Sequence, residues 1–72
     1  MSVINRMVDE YLNVNTKHKY TLSTYLCKYT GVINTYYNWY YKNMVKRLEE
    51  LELQAIVKSV KSEHNGVAWV WC

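Results

Sequence analysis

The chain has no proline and only two glycines among its 72 residues, so few positions force a helix to end. Half of the residues are hydrophobic, and eight tyrosines and three tryptophans supply large apolar areas for a core. A chain of this length buries about 60% of its unfolded surface, which limits it to one small domain. We therefore predict an all-α fold, a small bundle of about four helices joined by short turns.

The two ends of the bundle are predicted from hydrophobic spacing. Apolar residues recur every three or four positions over residues 3–12, with Ser2 as the N-cap of this first helix. A polar segment, residues 13–19, follows as a connecting loop. A fourth helix is expected from about residue 48 to 63, and the pair Asn65-Gly66 would end it.

The centre of the chain, residues 20–44, predicts a helix-turn-helix. Thr21 or Ser23 caps a second helix that runs to about residue 30. Gly31 ends it, because the residue after a helix often takes a left-handed conformation that glycine adopts without steric cost. A third helix starts near Asn34 and continues to about residue 43. A short turn of this kind holds two helices at roughly 90–120°.

Helical spacing also predicts which side chains of this pair face the core. The spacing does not decide whether Tyr36 and Trp39 pack in the core or contact a ligand. The residues assigned to packed faces are Leu22, Leu26, Cys27 and Tyr29 on the second helix and Tyr37, Tyr40, Tyr41 and Met44 on the third.

Charge is segregated along the chain. The net charge is +3, and no acidic residue occurs between Tyr11 and Leu48. A one-signed basic region around a helical pair is typical of a surface that binds a polyanion, here double-stranded DNA. Asparagine, threonine and lysine bond base edges, so we expect base contacts from Asn34, Thr35, Asn38 and Lys42. Phosphate contacts are expected from Lys17, Lys19, Lys28, Lys46 and Arg47.

Four short motifs resemble a known family. They are Leu-Ser-Thr-Tyr-Leu-Cys at 22–27, Gly-Val at 31–32, Tyr-Tyr-Asn-Trp at 36–39 and Glu-His-Asn-Gly at 63–66. Together they are similar to the N-terminal helix-turn-helix of insertion-sequence transposases. The similarity is to the second-frame protein of the family whose catalytic domain is retroviral-integrase-like.

The resemblance implies a DNA-binding module that recognises element terminal repeats. Residues 1–66 would form the helix-turn-helix domain and residues 67–72 an apolar tail, which could fold onto the core, form a strand or stay exposed. The family's aromatic, glycine and arginine run after the last motif is replaced by Val-Ala-Trp-Val-Trp-Cys. The acidic catalytic domain is not present, so the expectation is a truncated transposase that functions in DNA recombination without activity of its own.

Other classes of function are disfavoured by the residues. Cys27, Cys72, His18 and His64 show no metal-ligand spacing, and no catalytic constellation or phosphate loop is present, so we expect no enzyme, no cofactor and no small-molecule substrate. No stretch approaches the ~18 apolar residues of a membrane span, and no signal peptide is evident. We expect a soluble, cytoplasmic, nucleoid-associated protein of a bacterium.

Two alternatives remain beside DNA binding. One is a protein interaction or self-association module that forms a homo-oligomer, because Trp69 and Trp71 belong to a residue type enriched at interfaces. The weaker alternative is a membrane surface bound through the cationic centre and the tryptophan tail.

Overall fold

The computed structural model describes residues 2–17, 19–31, 35–63 and 65–72. Their fold is α+β, so the predicted all-α bundle of four helices is wrong. Helices come first and a two-stranded antiparallel hairpin comes last. The elements are α1 (Val3–Val14), α2 (Leu22–Tyr25), a π-helical segment (Leu26–Thr30), α3 (Tyr37–Leu53), β1 (Val57–Lys61) and β2 (Val67–Trp71).

Helix α1 begins where predicted and runs two residues further, through Asn13 and Val14, which the sequence interpretation had placed in the connecting loop. The Ser2 side chain accepts a hydrogen bond from the backbone N–H of Asn5 at 3.1 Å, which satisfies one of the free donors at the helix start. The residues at helical spacing line the inner face, and Met7, Val8, Tyr11 and Leu12 are buried in the core. Ile4 packs against that core while remaining partly exposed.

The second helix begins at Thr21, whose hydroxyl oxygen accepts from the Thr24 N–H at 3.3 Å. It widens into the π-helical segment, and the N–H of Gly31 donates to the carbonyl of Leu26, five residues back. Gly31 has φ 69° and ends the helix in the left-handed conformation, which confirms its predicted role.

Two core assignments on this segment are wrong. Cys27 is exposed instead of facing a crossing helix, and Tyr29 is exposed as well. The reason is local, since a π turn holds one more residue than an α turn and rotates the following side chains away from their α-helical positions. Leu22 and Leu26, at the start of the segment, are buried as predicted.

Helix α3 is one continuous helix, so the predicted end near residue 43 and the separate helix over 48–63 are wrong. Asn43 lies inside the helix, and its side-chain amide donates to the Trp39 carbonyl at 2.7 Å. The apolar stripe passes through the predicted break, with Met44, Leu48 and Leu51 all buried.

The aromatic residues of α3 divide between the core and the surface. Met44 is buried, and Tyr37 and Tyr40 are partly buried against the core, as the spacing predicts. Tyr41 is exposed, so its assignment to the core is wrong. Its ring instead stacks on that of Tyr37, with centroids 6.0 Å apart.

A hairpin replaces the second half of the predicted fourth helix. Strand β1 pairs with β2 in a register that runs from Val57 opposite Trp71 to Lys61 opposite Val67. The Asn65-Gly66 pair, expected to end a helix, lies in the turn with φ values of 61° and 126°. Residues 67–71, left open by the sequence, form β2, whose β-branched and aromatic side chains favour a strand.

Side chains of α1 and the adjoining residue Asn15 protect the outer edge of β2. The Tyr11 hydroxyl oxygen accepts from the Trp69 N–H at 3.1 Å, and the Asn15 amide donates to the Trp69 carbonyl at 2.8 Å. Both side chains also bond the backbone of Tyr20, at 2.8 Å from Tyr11 and 3.0 Å from Asn15. This network satisfies strand-edge groups that would otherwise be open and fixes the hairpin to the helices.

Candidate nucleic-acid interface

One concave face of the molecule is shared by the start of α2, the middle of α3 and the hairpin turn. Hydroxyl side chains at the start of α2 and residues of the hairpin lie there beside Tyr41 and Val45 of α3. The lining residues are Thr21, Ser23, Thr24, Tyr41, Val45, Asn65, Gly66, Val67 and Trp69. Two neighbouring depressions share residues with it: one includes Ser23, Thr24 and Lys28, and the other Tyr41, Val45 and Lys46.

Two sets of contacts position these elements. The Tyr37 hydroxyl donates to the Ser23 hydroxyl oxygen at 2.6 Å and ties the start of α3 to α2. On the other side, the Ser62 hydroxyl donates to the Lys19 carbonyl at 3.4 Å. Gly66 approaches the start of α2 so closely that a β-carbon on it would lie 3.4 Å from Thr21 Cγ2. The hairpin turn is therefore held against the residues that begin the second helix.

The predicted base-contacting residues lie on the outer side of α3 and just before it. Asn38 and Lys42 are exposed and four residues apart, which places them in one row along the helix. Lys46 continues that row by a further four residues and is also exposed. Thr35 is exposed in the turn preceding α3, and Asn34 lies outside the described residues.

The predicted phosphate-contacting residues are spread over three parts of the chain. Lys17 and Lys19 are exposed before α2, and Lys28 is exposed on the π-helical segment. Arg47 differs from the lysines because it is half-buried and its guanidinium lies 3.4 Å from the Glu50 carboxylate. That ion pair leaves Arg47 with a weaker attraction for a second anion than an unpaired lysine has.

The hairpin contributes basic residues that the sequence interpretation did not assign to the site. Lys58 and Lys61 are exposed on β1, and Lys61 stands opposite Val67, which lines the concave face. A hairpin signal was available in the sequence. Asn-Gly between two segments rich in β-branched and aromatic residues favours a hairpin over a helix end.

Acidic residues limit how far the basic surface extends along α3. Glu49 and Glu50 follow Lys46 on the exposed side of the helix and line the same groove as Lys42 and Lys46. The basic part of α3 is thus the segment from Lys42 to Arg47, which precedes the glutamates. A polyanion that approached the last turns of the helix would meet the carboxylates of Glu49, Glu50 and Glu52, which carry its own sign of charge.

Two buried tyrosines have raised pKa values. Burial raises the pKa of the Tyr11 phenol to about 12. Burial also raises the pKa of Tyr25 to about 12, with a further contribution from the Glu10 carboxylate, 3.4 Å from its hydroxyl. Both phenols stay neutral at physiological pH, so these two rings act as hydrogen-bonding and packing groups.

The described residues contain no group of three or more His, Cys, Asp or Glu side chains placed to hold a metal ion. Within the same residues no helix has the length and apolar character needed to cross a bilayer.

Comparisons of the chain with protein-family models, with curated proteins and with solved structures gave no match. The transposase resemblance consequently stays a prediction from the motifs. The last of those motifs, expected at a helix end, includes Asn65 and Gly66 of the hairpin turn.

Proposed function

We propose that the protein is a helix-turn-helix module that binds double-stranded DNA. The observation that carries the proposal is the exposed row Asn38, Lys42 and Lys46 on α3. Amide and ammonium groups spaced four residues apart on one helix suit the edges and phosphates of a major groove. In this proposal the part of α3 from Asn38 to Lys46 enters the groove, and the hydroxyls of Ser23 and Thr24 on the concave face lie toward the DNA backbone.

The position of the hairpin supports this proposal. Its turn, at residues 65–67, lines the concave face together with Tyr41 and Val45 of α3. Lys61 would then add a phosphate contact at the edge of the interface. Because one fold serves many functions, the argument depends on the residues of the face itself.

A duplex titration tests the proposal. Fluorescence anisotropy with labelled random-sequence duplex is expected to show binding at low salt that weakens steeply as salt rises, because about four to six phosphate contacts release counterions. Amide NMR shifts should cluster on α3 residues such as Asn38 and Lys42 and on the start of α2. Asn38→Ala is expected to change the difference in affinity between duplexes of different sequence. Lys46→Gln should lower the affinity for all duplexes by the same factor. Scattered shifts without salt dependence would contradict DNA binding.

The relation to a transposase is proposed on the resemblance alone. It would make this module a fragment that recognises element terminal repeats. The genomic sequence downstream provides the test, since an integrase-like catalytic core should follow in another reading frame. A downstream region that encodes no such core would overturn the transposase assignment. DNA binding would still be tested separately by the duplex titration.

Self-association is a second candidate function, favoured by a specific groove on α3. Tyr41, Val45 and Leu53 lie in one row along the helix, and Leu53 is 89% exposed. Two lysines precede two glutamates beside that row, so an antiparallel second copy would set unlike charges opposite each other. Sedimentation equilibrium should then show dimers that Leu53→Gln abolishes. A monomer at all concentrations would exclude this candidate.

A further inference from the structure

A small aromatic cleft lies at the start of α3, apart from the concave face. Tyr36, Trp39 and Tyr40 line it. The Tyr36 and Trp39 side chains are 65% and 54% exposed, and the Trp39 ring meets Tyr40 edge to face with centroids 5.1 Å apart. Large aromatic groups at this exposure expose apolar surface to water, which is a recurrent property of binding sites.

The cleft is built on a rigid part of the molecule. Trp39 and Tyr40 lie in the first turn of a seventeen-residue helix. The Asn43 amide donates to the Trp39 carbonyl at 2.7 Å, one turn further along. Tyr40 is partly buried against the core, so it forms a fixed wall for the more exposed Trp39. A preorganised aromatic wall loses little conformational freedom when a flat ligand stacks on it.

The surrounding charge selects the ligand. Lys42 and Lys46 lie three and seven residues after Trp39, which places both ammonium groups on the same side of the helix. The nearest carboxylate along α3 is that of Glu49, about 15 Å further along the axis from Trp39. A cationic ligand would be repelled here, whereas a flat aromatic group attached to anions would find both a stacking surface and counter-charges.

We propose that this cleft binds an unpaired nucleobase of a polynucleotide, with Trp39 as the stacking surface and Lys42 and Lys46 near the adjoining phosphates. This proposal rests on the proposed function, because both require the same side of α3 to contact nucleic acid. It adds that the preferred ligand is not a perfect duplex but one with a base outside the stack, from a bulge or a single-stranded end. Stacking tolerates every base, so no sequence preference is expected from the cleft itself.

The test compares two labelled DNA hairpins that differ by one unpaired thymine in the stem. We expect the full chain to bind the bulged hairpin about tenfold more tightly, the lower part of the range for one stacked base. Trp39→Ala should remove this preference and leave affinity for the perfect hairpin within about twofold, whereas Trp39→Phe should keep most of it. Trp71→Ala is the matched control, because Trp71 is also exposed but lies on β2.

Each outcome separates this proposal from the DNA-binding proposal. Equal affinity for both hairpins, or a preference that survives Trp39→Ala, overturns the cleft and leaves duplex binding intact. Binding of bulged or single-stranded DNA without any binding of the perfect stem supports the cleft and overturns duplex recognition. Thymidine monophosphate that competes as strongly as the bulged hairpin would overturn the assignment to a polynucleotide. Circular dichroism of every variant shows whether it folds, and Tyr36→Ala supplies a second test of the cleft.

Discussion

At the residue scale, Asn15 uses its buried side chain to connect three parts of the fold. It is fully buried at the end of α1. Its amide nitrogen donates to the Tyr11 hydroxyl oxygen at 3.2 Å and to the Trp69 carbonyl, while its carbonyl accepts from the Tyr20 N–H. These hydrogen bonds replace the ones that the Asn15 side chain makes to water in the unfolded chain, so its burial is not destabilising.

Replacing Asn15 by alanine should therefore destabilise the protein strongly. The substitution leaves the Trp69 carbonyl and the Tyr20 N–H without their partner, at a cost of about 2–4 kcal/mol in the free energy of unfolding. Urea denaturation measures this loss. Asn13→Ala is the control, because Asn13 is exposed and accepts one hydrogen bond from the exposed Trp71 indole at 3.3 Å. A loss below about 1 kcal/mol for Asn15→Ala would contradict the role of the network.

Tyr11 and Tyr25 should make stability fall at alkaline pH. Their pKa values are about 12 in the folded protein and 10.0 for a free phenol, so the folded state holds these protons more tightly. The resulting stability is complete below about pH 10 and is lost as pH rises toward 12. Urea midpoints measured across this interval should decrease. Tyr11→Phe should lower stability at neutral pH, through its lost hydrogen bonds, and flatten the alkaline decline.

At the element scale, two helices are each followed by a residue in the left-handed backbone conformation, and only one of these two residues is a glycine. Gly31 follows the π-helical segment with φ 69°, and Ala55 follows α3 with φ 59°. The N–H of Ala55 donates to the Glu52 carbonyl at 3.0 Å, so the conformation belongs to the helix end. An alanine in this region is strained by its β-carbon, whereas glycine is not.

Opposite substitutions at these two ends should have opposite effects. Ala55→Gly is expected to stabilise the protein by about 0.5–1 kcal/mol, after the entropy of the added glycine is subtracted from the strain relieved. Gly31→Ala should cost about 1–2 kcal/mol from backbone strain alone, since no described atom lies within 4 Å of the position that a β-carbon would take. Thermal unfolding of both variants measures the pair. If both substitutions changed stability in the same direction, side-chain contacts and not backbone conformation would determine the stability of these helix ends.

At the scale of the whole molecule, charge is distributed unevenly over the folded surface. The exposed lysines of the region before α2, the π-helical segment, the first half of α3 and β1 are separated in sequence. The carboxylates Glu49 and Glu50 lie toward the other end of α3. The effect of neutralising a lysine on polyanion binding should therefore depend on its location in the fold.

Neutralising one lysine of the hairpin tests this dependence. Lys61→Gln should weaken duplex binding and reduce the slope of log affinity against log salt by about 1, because one phosphate contact is lost. Arg6→Gln removes the same charge from the exposed side of α1 and is expected to have a much smaller effect. Equal effects of both substitutions would mean that net charge, and not the proposed face, determines affinity.

Much of the helical part of the fold could be predicted from local signals. The period of α1, the hydroxyl cap at Thr21 and the glycine after residue 30 each depend on neighbours within a few positions. Exposure of Asn38 and Lys42 also follows, because the opposite side of their helix is apolar. The π-helical segment could not be predicted this way, since no residue in it signals the wider turn that exposes Cys27.

Helix α1, the apolar side of α3, the helix end at Gly31 and the acid-free basic region follow from the sequence, since each depends on local steric effects or on composition. The course of residues 54–71 depends on tertiary contacts instead. Val57 and Val60 are three residues apart, which fits a helix, and Ala55 gives no glycine-like signal for the break after α3. Strands β1 and β2 need each other for their hydrogen bonds, and the edge of β2 needs Tyr11 and Asn15 from the distant end of α1. Such partners are distant in sequence, so the Asn65-Gly66 pair can signal a turn but not the contacts that hold the hairpin and its lysines against the helices.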